Sequence, residues 1–290
     1  MIHFGLLEPT GRSSHVLRAA TLPSKAFRGW VDLGQYRDPI TYQWEGNCAS
    51  NAVPLSCSQT LRAKGIEVPW TPSIRETYAV TLARLRAQDH PTLDVRTLMT
   101  RYPLVDTGSE LLDVVDTVQL VGLCAMGALF GGEFTDDGPV PSEPSHGAVR
   151  EQLRNLMVGC REVVSLNDVQ AALESGVTCP TGGWVDDSFI GWTREQPPVG
   201  AQDRNRSGGG HAVRAEAVGR VGPDGCVTEW AVVDGIDWSR VQIVAPPGTR
   251  VWRVVNSWGR DSYGLGGCAI VGDAFLADRW EKYACDVEVV

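Results

Sequence analysis

The chain has 290 residues, 43% of them apolar and 21% charged, a balance that excludes disorder along its whole length. A formal net charge of −9 speaks against a nucleic-acid binder, which shows a basic face, and no run approaches the roughly 18 uninterrupted apolar residues of a membrane span. The N-terminus, MIHFGLLEPTGRSSHV, carries no basic leader and no small-residue cleavage site, so the expected location is cytoplasmic or virion-associated.

Residues 1–30 read as a polar, irregular extension, too short for a fold of its own. The main domain then runs over 31–290 and divides near residue 160. Its first part, about 48–160, predicts a helical lobe. SIRETYAVTLARLRAQ places Ile74, Tyr78, Leu82 and Leu85 at spacings of three and four on one helical face. Ser109 is a candidate N-cap for ELLDVVDTVQLVG, which ends near Gly122. Pro54, six residues past Cys48, predicts a kink or a late start in the helix expected there. Residues 131–147 form a loop rich in Gly, Pro and acidic residues.

The second part, about 161–290, changes character. Ser165 opens a short helix, LNDVQAALESG, and β-formers then cluster in AVRAEAVGRV, TEWAVVDGI, TRVWRVVNSW and CAIVGD. Helices first and strands afterwards predict an α+β protein of two lobes.

Eight cysteines stand at 48, 57, 124, 160, 179, 226, 268 and 285 with no CxxC pair. That scatter predicts buried free thiols and no structural zinc; no cofactor is implied. Five histidines are present, and His3, His15, His90 and His146 lie in irregular or loop-like sequence. His211 stands where a glycine-rich loop meets an apolar strand, GGGHAVRAEAV. It is either a general base facing a cleft or a residue that caps a strand. Cys48, in QWEGNCASNAV, precedes a run that can begin a helix. A thiolate there gains from the helix dipole, although a buried core cysteine fits the same pattern. Asn256 ends an apolar strand in VVNSWG; its carboxamide can accept the Nδ1–H of a histidine and fix its tautomer. Trp258 can cover that hydrogen bond and exclude water.

The order of Cys48, a histidine after two glycines, and NSWG is similar to the papain-like cysteine protease family. VDLGQYRDPI, DTGSELLDVVDTVQLVGLC and SLNDVQAALESGVTCPTGGWVDDSF resemble further segments of bacterial and viral members, so the likeness covers about residues 31–285. The resemblance implies a helical lobe with the nucleophile, a β-barrel-like lobe with the base, and a cleft between them. It makes Cys48 the nucleophile, His211 its base and Asn256 the orienting group, and it implies hydrolysis of a peptide or protein substrate through a thioester. The oxyanion amide falls to Gln43, five residues before the cysteine where the family places it six before. Gly108 and Gly210 fall where substrate backbone is bound. Two other readings compete: a catalytically degenerate fold that binds or builds a larger assembly such as a virus particle, and an amidase acting on cell-wall peptides.

Overall fold

The structure is a computed structural model that describes residues 17–18, 29–43, 46–68, 71–86, 97, 106–123 and 156–289. His3, His15, His90, His146, Cys124 and the loop 131–147 lie outside these residues, as does nearly all of the 1–30 extension.

Three longer helices come first: α1 (Cys48–Ala63), α2 (Ile74–Arg86) and α3 (Leu111–Val121). α1 starts at the cysteine itself and continues through Pro54, so the expected late start is not found. Proline in the first two turns forfeits one backbone bond, and here tertiary burial outweighs that loss: every residue from Cys48 to Leu61 is buried. Some of its polar groups are paired with the surrounding shell. Asn51 Nδ2 donates to Thr41 Oγ1 at 2.7 Å and Gln59 Nε2 to the Leu33 carbonyl at 2.8 Å, while Thr178 Oγ1 donates to the Ser56 carbonyl at 2.9 Å. α2 buries Ile74, Tyr78 and Leu82 as the periodicity predicts.

The cap of α3 is Glu110 rather than Ser109, because Asp113 reaches back to accept the Glu110 N–H at 3.0 Å. The helix ends at Gly122, whose φ of 80° is the left-handed conformation that glycine tolerates. Glu281, far along the chain, accepts the Leu111 and Leu112 N–H groups at 3.2 and 3.0 Å. That carboxylate meets the positive end of α3, yet burial still pushes its pKa up to about 7.

The second half is a largely antiparallel sheet of eight strands. Its path runs β1 (Leu17–Arg18), β3 (Leu156–Glu162), β10 (Glu281–Val289), β4 (Cys179–Asp186), β5 (Ser207–Arg220), β8 (Arg250–Val255) and β9 (Cys268–Gly272). β2 (Val31–Asp32) pairs with β5 outside this path, and β6 (Val232–Val233) and β7 (Ile236–Asp237) form a separate small hairpin. Three short helices complete the set: α4 (Leu166–Glu174), α5 (Asp187–Ile190) and α6 (Asp273–Ala277). Ser165 caps α4 as expected: its hydroxyl accepts the Asp168 N–H at 3.1 Å, and the Asp168 carboxylate accepts the Ser165 N–H at 3.0 Å. β3 straddles residue 160, so part of the predicted helical segment belongs to the sheet.

Two apolar cores result. The larger fills the strand half around Val213, Trp252, Val254, Ile270 and Phe275. The smaller joins α1 and α3 to β3 and β10 through Val53, Leu61, Val115, Val118 and Val287, and it contains Cys48. Among the described residues the seven cysteines are buried free thiols, and no helix is long and apolar enough to cross a membrane.

Candidate active site

Cys48 is the first residue of α1, so its sulfur sits where the unpaired N–H groups of the helix favour a negative charge. Asn47 precedes it as N-cap without a side-chain bond to the helix. Ahead of it, the Gly46 N–H donates to both carboxylate oxygens of Asp106, at 3.1 and 3.2 Å.

His211 lies on β5, with Gly210 beside it opposite Trp184 of β4. Adjacent β8 ends at Val255 and delivers Asn256. The His211 Nε2 stands 2.7 Å from Asn256 Oδ1. The same oxygen accepts the Ser257 N–H at 2.7 Å, which marks it as an acceptor and puts the ring proton on Nε2. The orienting bond therefore uses Nε2, not the Nδ1 expected from sequence, and Nδ1 is left as the basic nitrogen. Trp258 stacks on the imidazole, with centroids 4.5 Å apart and planes inclined by 27°. Phe189 and Tyr263 pack edge-on or tilted behind that pair, so the covering role expected of Trp258 has a physical basis.

Gln43 joins the same strand end. Its N–H donates to the Ser257 carbonyl at 2.7 Å, and its Oε1 accepts the Ser257 hydroxyl. With the oxygen held, the amide N–H₂ is the end turned away from Ser257. Gly108 has a φ of 73°, and its N–H donates inward to the Tyr78 hydroxyl at 3.1 Å, so in this structure that donor does not face a substrate. Tyr78 passes the interaction on to Asp106 Oδ1 at 2.6 Å. The loop before Cys48, helix α2 and the Gly108 loop are thus tied through one carboxylate. Tyr78→Phe removes a donor and an acceptor from this relay and is expected to cost about 1–3 kcal/mol, read from the urea midpoint; an unchanged midpoint would show the relay to be incidental.

Arg279, between α6 and β10, was not singled out by sequence. Its guanidinium donates to the Trp184 carbonyl at 2.9 Å and to the backbone carbonyl of His211. It lies so close to Gly183 that a Cβ there would meet its side chain at 2.9 Å, which explains the glycine. Burial pulls Arg279 down to about 9, with the charge of Cys48 pulling the other way, so it remains a cation at neutral pH. Burial, aided by that cation, pushes His211 down to about 3 against the opposing Asn256 bond. Cys48 and His211 are both fully buried.

No family model matches the sequence, and no curated protein matches it. Solved structures do. Xylellain, a cysteine protease from Xylella fastidiosa, superposes with a TM-score of 0.62 at 15% identity, over 99% of this chain and 95% of that one. A procathepsin B from Trypanosoma congolense gives 0.63 at 12% identity, over 98% and 86%. Bromelain from Ananas comosus, in complex with the inhibitor E64, gives 0.55 at 12% identity, over 90% and 99%. The chain has the two-lobe fold of the papain-like cysteine proteases.

Proposed function

We propose that this protein is a cysteine-type peptidase in which Cys48 is the nucleophile, His211 the base and Asn256 the orienting group. The observation that carries the reading is the 2.7 Å His211–Asn256 bond under the stacked Trp258 ring. Such a bond fixes which nitrogen can take a proton, and a strand-capping histidine does not need it.

In the reaction, Nδ1 of His211 takes the Cys48 proton and the sulfur attacks the peptide carbonyl carbon. The C–N bond then breaks, the leaving amine takes the proton from the imidazolium, and a thioester remains. Water hydrolyses it and restores the thiol. The Cys48 N–H and the Gln43 amide stabilise the oxyanion. Arg279 favours the thiolate and disfavours the imidazolium; once Cys48 has given up its proton, its negative charge offsets the second effect.

The test is intact mass after incubation with an epoxysuccinyl inhibitor, comparing wild type with Cys48→Ala and His211→Ala. One adduct on wild type, absent in both variants, is the expected result. It also requires the buried site to open to the reagent. Neither an adduct nor hydrolysis of casein by folded wild type, while denatured protein reacts with a general thiol reagent, would overturn the reading in favour of a degenerate fold.

A further inference from the structure

Away from Cys48, three sulfurs converge in the smaller core. Cys57 comes from α1, Cys160 from β3 and Cys285 from β10, and their Sγ atoms all lie within 4.8 Å of one another. All three side chains are fully buried. Cys160 and Cys285 are direct cross-strand partners, with sulfurs 3.3 Å apart. The Val163 N–H donates to the Lys282 carbonyl, which makes 163/282 a hydrogen-bonded pair. Counting along the ladder, 160/285 is then a non-hydrogen-bonded pair, the type whose side chains stand closest. Cys57 approaches this pair from the helix, so the three thiols come from three elements that tertiary packing alone brings together.

We infer that Cys57, Cys160 and Cys285 form a binding site for a single thiophilic closed-shell metal ion, cuprous copper above zinc. Three thiolates about 2.3 Å from a central ion stand about 4 Å apart in a trigonal plane, which fits within the observed spread. No His, Asp or Glu side chain among the described residues joins the group as a fourth donor; the surrounding core is mostly apolar, with the Asp116 carboxylate near enough to act on Cys160. Structural zinc sites are four-coordinate, whereas soft thiolates select cuprous copper, which accepts three ligands. Each Cu–S bond replaces one S–H bond, its proton leaves to solvent, and no electron is transferred. The ion would clamp α1, the helix that begins at Cys48, to β3 and β10. This inference stands independently of the proposed peptidase activity.

The full chain, reduced and anaerobic, is titrated with Cu(I) supplied as its bicinchoninate complex and, separately, with Zn(II). Native mass spectrometry gives the stoichiometry, alkylation the protected thiols, and a melt the midpoint. The expected result is one Cu(I) per chain in wild type and equally in Cys48→Ser. In mild denaturant copper slows alkylation of Cys57, Cys160 and Cys285 relative to the copper-free chain, the melting midpoint is raised, and Zn(II) is held more weakly. Cys160→Ser and Cys57→Ala lose the copper; the second variant serves if the first does not fold. Copper bound equally by a folded variant lacking one of the three thiols would overturn the site. Zinc held more tightly than copper would overturn the chosen ion. A Cys160–Cys285 disulfide in protein isolated with its thiols blocked would assign the pair to cross-linking instead.

Discussion

Replacing His211 by alanine is expected to lower kcat/KM on a peptide substrate by a factor of about 10²–10⁴, the range for losing a positioned acid–base group. The ring is fully buried, bonded to Asn256 and stacked on Trp258, so the variant also loses about 2–5 kcal/mol of stability, and the rate is compared on folded protein below its melting midpoint. Asn256→Ala leaves the ring on its strand under Trp258 but frees its orientation, and a misplacement of that kind costs about 10²-fold. The pH profile adds a sharper readout. A base must be neutral to accept a proton, and burial together with Arg279 holds His211 at about 3. The acid limb of activity is therefore expected well below the ordinary histidine range. Arg279→Met removes the cation that disfavours ring protonation, raises the His211 pKa and moves that limb to higher pH; Arg279→Lys should restore part of the shift. Rates within a few-fold of wild type in His211→Ala would remove His211 from the chemistry.

The parts of this site that sequence revealed are those carried by short strings. GNCAS, GGGH and NSWG each place a candidate site residue beside residues that set its local backbone. What the strings could not tell depends on contacts made far along the chain. Which ring nitrogen meets Asn256 is set by the register of β5 against β8, and Arg279 reaches His211 only because β10 lies next to β4. Tyr78 was legible as a core position of α2, but its hydroxyl bond to Asp106 was not. β3, LMVGCRE, is hard to read from sequence because it holds Gly159, a weak strand former, and ends in the charged pair Arg161 and Glu162. β10 was missed although Tyr283, Cys285 and Val287 alternate on one face, because the intervening charges make the segment read as surface. The Ser109 cap failed for a local reason, since Glu110 and Asp113 form the reciprocal pair one residue later. The absence of any CxxC pair correctly described the spacing of the cysteines, but spacing says nothing of three thiols gathered from a helix and two strands.

Glu216→Gln is expected to destabilise the fold by about 3–5 kcal/mol, the cost of breaking a buried ion network by removing one partner. Glu216 sits at an irregularity in β5 and is fully buried with Arg253 and, nearly so, Arg37. Its Oε1 accepts from Arg253 Nε and Arg37 Nη1, both at 2.8 Å, and its Oε2 from Gln59 of α1 at 3.1 Å. Arg253 also pairs with Asp32 of β2 and lies over the rings of Trp238 and Trp230, at 4.7 and 5.5 Å. One carboxylate thus links α1 and the segment entering it to the sheet, and glutamine would leave two buried guanidinium groups short of a counter-charge. Burial alone would raise the Glu216 pKa, but the attraction of Arg253, Arg37 and Arg214 outweighs it and holds the group at about 2. Since the unfolded value is about 4.3, this depressed pKa stabilises the fold fully above that pH. The contribution, roughly 3 kcal/mol by linkage, fades as pH falls toward 2. Wild type should accordingly lose stability between about pH 4.3 and 2 more steeply than Glu216→Gln, so the two urea midpoints converge in acid. A variant as stable as wild type at pH 7, or a gap that persists unchanged in acid, would show that the network does not hold the lobes together.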